Sequence, residues 1–196
     1  MAVYCADHKM LFVHVPKTGG TSVQFWLQEH AKGQPLKGVK HWSYKNIINK
    51  HNELQINFSF AVVRNPWDLA VSWYFFKRDR AQRILSEGKT KNKGKMSREY
   101  NEWVLAEFEK GIDHWFEKMN PASQFEKVDG VDCVIKLENI TEEFQSIQHL
   151  VGCNQPIGNY NFSLRERDYR QYYNNHTKNL IAEKFATDIE LFGFEF

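Results

Sequence analysis

The first strong signal in the hydrophobic pattern is Leu11-Phe12-Val13-His14-Val15, a short β-prone run that stops at Pro16. Pro16 to Ser22 then reads as a turn, and from Thr21 onward Val23, Trp26, Leu27 and His30 recur at helical spacing, with Thr21 or Ser22 as the N-cap. The same layout returns at Phe58-Ser59-Phe60-Ala61-Val62-Val63-Arg64, a nearly continuous apolar run of the kind carried by a strand buried on both faces. Asn65-Pro66 ends that run, and Leu69, Ala70, Trp73 and Phe76 predict a helix from about Pro66 to Arg83. Between the two units, Ser43 can cap a short helix through Ile47, Ile48 and Lys50, which leaves His41 just ahead of a helix.

Helical patterns resume at Ser97 to Lys110 and from about Ile112 to Met119. Cys133-Val134-Ile135-Lys136-Leu137 is a third strand, after which Thr141 caps a helix through Leu150 and Gly152 closes it. Asn154 to Arg170 reads as loop, and Thr177 to Asp188 carries Leu180, Ile181 and Phe185 on one helical face. Strands alternating with helices predict an α/β fold: one P-loop-like domain over residues 1–196, with a central parallel sheet flanked by helices. Ligands on such sheets sit at the carboxyl ends of the strands, where both Lys17 and Arg64 fall.

Composition narrows the function classes. The 42% apolar and 26% charged content describes a globular chain, and a formal charge of +2 gives no global field that would imply nucleic-acid binding, so any anion site must be local. Cys5, Cys133 and Cys153 form neither a C-x-x-C pair nor a zinc spacing, which fits a reducing compartment and no metal. No stretch approaches a membrane span, Asp7, His8 and Lys9 interrupt the place of a secretory signal, and the expected location is cytoplasmic.

Lys17, Thr18, Gly19, Gly20, Thr21 and Ser22 place a cation, two glycines and three hydroxyls at a helix N-terminus, where open N–H groups and the dipole favour phosphate or sulfate. A nucleotide kinase or ATPase loop would carry its lysine after the glycines and an acid for magnesium elsewhere. Here Lys17 precedes Gly19 and Gly20, and the other two strands end in Arg64 and in Leu137-Glu138.

PKTGGTS after one strand and VRNPWDLAVSWY after another resemble the sulfotransferases that use 3′-phosphoadenosine 5′-phosphosulfate (PAPS), in particular the branch of glycosaminoglycan 2-O- and 6-O-sulfotransferases and related compact bacterial proteins. The resemblance runs from Leu11 to the tail YRQYYNNHTKNLIAEKFATDIELFGFEF. It implies that Lys17 to Ser22 form the 5′-phosphosulfate loop and that Arg64 with Ser72 holds the 3′-phosphate, in keeping with an arginine fork at a strand end and a hydroxyl from the following helix. It also implies a hydroxyl acceptor, a carbohydrate, with His41 in the segment His41-Trp42-Ser43-Tyr44 as general base and Lys17 meeting charge on the leaving phosphate.

His14 is the rival base, although its place in the strand run suits a buried, satisfied or supporting histidine; Glu29 stands behind it. Asn161-Phe162-Ser163, Arg165 and Arg167 fall where the resemblance brings a later loop towards the nucleotide. Lys89, Lys91, Lys93 and Lys95 form a basic loop that either steers an anionic glycan or is simply solvated. Golgi relatives carry a membrane anchor and a larger catalytic domain, so the expectation is a compact cytoplasmic enzyme of bacterial, phage or algal type. The other readings are a noncatalytic module that binds a nucleotide or sulfated glycan, and a kinase-like phosphoryl transferase.

Overall fold

A computed structural model describes residues 1–91, 93–158, 160 and 165–196. In chain order the strands are β1 (Val3–Cys5), β2 (Met10–Val13), β3 (Gln34–Pro35), β4 (Phe58–Val63) and β5 (Cys133–Lys136). The helices are α1 (Gly20–His30), α2 (Tyr44–Lys50), α3 (Pro66–Ser86), α4 (Arg98–Glu109), α5 (Ile112–Lys118), α6 (Phe125–Val128), α7 (Ile140–Glu143), α8 (Gln145–Val151), α9 (Asn175–Lys184) and α10 (Ala186–Phe192). The backbone divides into two compact units, Met1–Asn65 with Ala122–Phe162 and Glu190–Gly193, and Pro66–Pro121 with Ser163–Ile189 and Phe194–Phe196.

The first unit holds one five-stranded sheet in the order β3-β1-β2-β4-β5. The α/β class and the three parallel strands β2, β4 and β5 agree with the sequence reading. The sheet as a whole is mixed, its parallel centre extended by an antiparallel edge: β1 pairs antiparallel with both β2 and β3. Those two strands escape the periodicity because they hold three and two residues, too few for an alternation to register. Strands β2 and β4 are buried on both faces, as continuous apolar runs require. On one face Phe12, Phe60, Val62 and Ile135 pack with Val23, Trp26 and Leu27 of α1 and with Phe144 and Ile147. Phe144 stands edge-on to the Trp26 ring at 5.0 Å, so truncating any of these rings to alanine is expected to cost about 3–5 kcal/mol.

Strand pairing fixes where the parallel strands end. Val13 lies opposite Ala61 and Val63 opposite Lys136, so the residues after β2, β4 and β5 emerge on the same edge. Ser59 ties β4 to the start of β5, because its amide and hydroxyl both donate to the Asp132 carboxylate, at 2.7 and 2.6 Å.

The second unit is helical. The Tyr74 and Phe108 rings meet edge to face at 4.8 Å, Phe116 stacks on Tyr173 at 4.5 Å, and Trp67 donates its indole N–H to the Lys178 carbonyl at 2.9 Å. Two predicted helices differ from those observed. Thr141 lies inside α7 rather than capping it, and the helix breaks at Phe144, which drops into the core between α7 and α8. The last helix starts at Asn175, capped by Asn174 with Thr177 returning the bond, and ends at Lys184 before α10 begins. Ser43 opens α2 and Gly152 closes α8 as the sequence predicts, and the Ser97 side chain caps the start of α4.

Candidate functional site

The loop between β2 and α1 is shaped by two left-handed residues. Lys17 has φ 68° and Gly19 has φ 75°; the second is glycine's natural conformation, whereas the first strains a lysine. His41 has φ 60°, so both residues that the sequence assigns to catalysis sit in this region. Strain of this kind persists only where the surroundings enforce it.

The cap of α1 differs from the expected hydroxyl. Gly19 is the N-cap and no side chain bonds the first turn. The Ser22 amide donates to the Gly19 carbonyl at 2.9 Å, while the amides of Gly20 and Thr21 meet no protein acceptor among the described residues. A side-chain cap would have filled the position an anion needs, so the missing cap is what makes the turn a cradle. Thr18 is fully buried and its hydroxyl donates to the Val15 carbonyl at 2.9 Å, bracing the loop from beneath. The Ser22 hydroxyl accepts from the Tyr160 amide at 3.3 Å.

Arg64 follows β4 and donates from Nη1 to the Lys17 carbonyl at 2.9 Å, which brings its guanidinium to the same loop. Its backbone is held by a side chain that the sequence reading missed. The Gln124 amide, 1% exposed, accepts from the Arg64 N–H at 2.9 Å and donates to the Arg64 carbonyl at 2.8 Å. Glu138, at the end of β5, accepts from the Asn65 N–H at 2.7 Å. A glutamine in a polar stretch carries no local mark of such a role. Glu138 at least stood at a strand end.

His14 lies one residue past β2 rather than within it, and its ring stands edge-on to that of His41 at 5.0 Å. His41 Nδ1 is 3.4 Å from the His14 carbonyl, which only accepts, so Nδ1 carries the proton and Nε2 keeps its lone pair. Burial lowers the His41 pKa below the usual histidine range; the His14 carbonyl opposes this, while the Met1 ammonium, Lys40 and Lys127 reinforce it. For His14, burial followed by the charges of Met1, His41 and Lys40 pushes the pKa down to about 3.

The structure thus brings Lys17 to Ser22, Arg64, His14 and His41 together within the first unit. Ser72 belongs to the second unit, where it is buried in α3. Glu29 is exposed nine positions along α1 from Gly20, about 13 Å down the helix axis, which removes it as a base. Arg165 is ion-paired with Asp68 at 2.5 Å, Arg167 is exposed, and Asn161-Phe162-Ser163 lie outside the described residues. Lys89, Lys91, Lys93 and Lys95 are exposed, Lys89 pairing with Glu87.

Parallel strands whose first crossover begins on open amides, with an arginine following the next strand, define an α/β protein with a helix-start turn of the kind that suits a phosphate or sulfate group. The family model described as Sulfotransferase family matches residues 1–195, and the chain belongs to that family, whose members are transferases of sulfuryl groups. No curated protein matches the chain significantly. Among the described residues, no helix is long and apolar enough to cross a membrane.

Proposed function

We propose that the protein transfers the sulfuryl group of PAPS to a hydroxyl of a carbohydrate, in the manner of the glycosaminoglycan 2-O- and 6-O-sulfotransferase branch. The observation that carries this reading is the pairing of an open amide cradle with a histidine whose Nδ1 faces the His14 carbonyl, the two linked through His14.

The residues present fit the donor. A glycine turn with open amides suits its 5′-phosphosulfate, and the Arg64 fork suits a phosphate, to which the resemblance adds Ser72. When bound, the donor supplies an activated sulfuryl group on a phosphate leaving group. Lys17 and the α1 amides hold that phosphate and meet the negative charge it gains. His41 Nε2 takes the proton from the acceptor hydroxyl as its oxygen bonds to sulfur. Trp42, 38% exposed beside His41, offers an apolar face on which a sugar ring can pack. A kinase-like reading gains no support from Glu138, whose carboxylate is engaged by the Asn65 amide rather than presented for magnesium.

The test divides binding from transfer. His41→Ala is expected to leave affinity for PAPS nearly intact and to lower single-turnover transfer by about 10²- to 10⁴-fold, whereas Lys17→Ala lowers both. Calorimetry with PAPS, alongside transfer of labelled sulfate to a panel of saccharides, measures the two. Binding without transfer to any acceptor would mark a noncatalytic module, and magnesium-dependent ATP binding would mark the kinase-like protein.

A further inference from the structure

We propose that His14 is a hydrogen-bond donor of the anion cradle, presenting its Nε2–H to the oxygens of the group bound at the start of α1. The identity of that group rests on the reading above; the geometry of the donor does not.

The ring is held on three sides. It stacks on Phe12, with centroids 5.9 Å apart and planes 25° apart, and meets the His41 ring edge-on at 5.0 Å. Its third neighbour is α1 itself. A Cβ built on Gly20 would fall 2.2 Å from His14 Cδ2 and 2.3 Å from Nε2, so the Nε2 edge lies directly against the first residue of the helix. That residue and Thr21 carry the open amides. Gly20 is therefore required by the imidazole beside it as well as by the anion.

The tautomer follows from the opposite nitrogen. His14 Nδ1 lies 2.6 Å from the backbone nitrogen of Met1, which in its ammonium form has only protons to offer; against that form Nδ1 accepts and the ring proton resides on Nε2. Among the described residues no protein acceptor takes that proton. The charged and titratable groups that act on the ring are the Met1 ammonium, His41 and Lys40, and with burial they keep it uncharged. A neutral imidazole next to an anion donates a hydrogen bond without titrating in the working range and without competing for the acceptor's proton.

The two histidines thereby take opposite tautomers. His41 holds its proton on Nδ1, against the His14 carbonyl, and turns a lone pair outward. His14 holds its proton on Nε2, against α1, and turns a donor towards the cradle. One is built to take a proton, the other to share one.

The test begins with the unaltered chain. The ¹⁵N spectrum of the imidazole rings is expected to show His14 as the Nε2–H tautomer, still neutral at about pH 5, with that resonance moving when 3′-phosphoadenosine 5′-phosphate is added. In single-turnover transfer from PAPS, His14→Phe keeps a ring of the right shape and loses the donor. The expected loss is about 10²-fold, as for removal of one oxyanion donor. His14→Gln, whose amide N–H₂ reaches to where Nε2 stood, recovers a substantial part, and the wild-type to His14→Phe ratio stays constant across about pH 6 to 9. Thermal unfolding of both variants separates a lost donor from a lost fold. An Nδ1–H tautomer, a resonance unmoved by the nucleotide, a full rate in His14→Phe, or a His14→Gln no better than His14→Phe overturns the assignment. If the unaltered chain transfers no sulfate, the functional reading fails alone, and the ring spectrum still decides His14.

Discussion

The ends of β2 and β4 are adjacent and parallel, yet they treat their backbone in opposite ways. After β2 the amides of Gly20 and Thr21 are left open and the cap is a glycine. After β4 the polar groups are closed: Gln124 takes both the N–H and the carbonyl of Arg64, and Glu138 takes the N–H of Asn65. The first end presents main-chain donors, which takes glycines and a short strained turn. The second presents a side chain, so it needs a rigid platform under Arg64. A buried glutamine supplies that platform, since each backbone group left unpaired there would cost about 1–3 kcal/mol.

The sharpest way to break this contrast is Gly20→Ala. At an ordinary helix start alanine would be harmless, but here the methyl group meets the His14 ring at 2.2 Å and either the ring or the helix must shift. Overpacking of this kind costs about 1–3 kcal/mol. A displacement near 1 Å at reacting groups costs about 10²-fold in rate, and that is the expected loss in single-turnover transfer. Near-normal transfer with a normal unfolding temperature would mean that the cradle does not depend on close approach of His14.

The same contrast explains what could be read from the residues. The first end is local: Pro16 to Ser22 lie in one stretch, and the turn, the glycines and the helix that follows are all visible in order. His14 could be read there as a rival base or a buried, supporting histidine, but not as a residue past the strand, because a run of five β-prone residues gives no sign that the strand stops at Val13. The second end is assembled across 60 and 73 positions of sequence, from a glutamine and a glutamate that no periodicity singles out. Arg64 was legible as a strand-end cation, but its support was not. The mixed sheet follows the same rule, since β1 and β3 exist only through pairing with a neighbour.

Breaking the second end should have a smaller effect of a different kind. Arg64→Ala removes a charge-assisted partner, so affinity for 3′-phosphoadenosine 5′-phosphate should fall at least about 10-fold more than affinity for the analogue without the 3′-phosphate. Gln124→Leu keeps the volume and leaves Arg64 in place, but strips both of its backbone partners. It is expected to cost about 2–4 kcal/mol in urea unfolding and to erode the same 3′-phosphate preference, with little change in the preference-free analogue. Equal losses for the two nucleotides in both variants would detach this end from the 3′-phosphate.

The smallest expected effect separates the two ends by pH. Arg64 belongs to the second end, whereas the two histidines His14 and His41 belong to the first. Burial, with Lys40, Lys127 and the Met1 ammonium, holds His41 unprotonated below the usual range. At pH 6 an ordinary histidine with a pKa near 6.5 would have lost about three quarters of its neutral form; transfer should lose less than that there. Nucleotide affinity should follow the same pH course in the unaltered chain and in His41→Ala. The folding sign is also fixed: His14 is neutral in the fold, with its pKa down to about 3, and the unfolded chain takes up that proton first. Stability contributed by burying it neutral is therefore present above about pH 6.5 and is progressively lost as pH falls towards 3. Urea midpoints between pH 7 and 5 should fall less steeply in His14→Phe than in the unaltered chain. Parallel slopes would mean that the imidazole is not held neutral, and with it would go the division of labour between the two histidines.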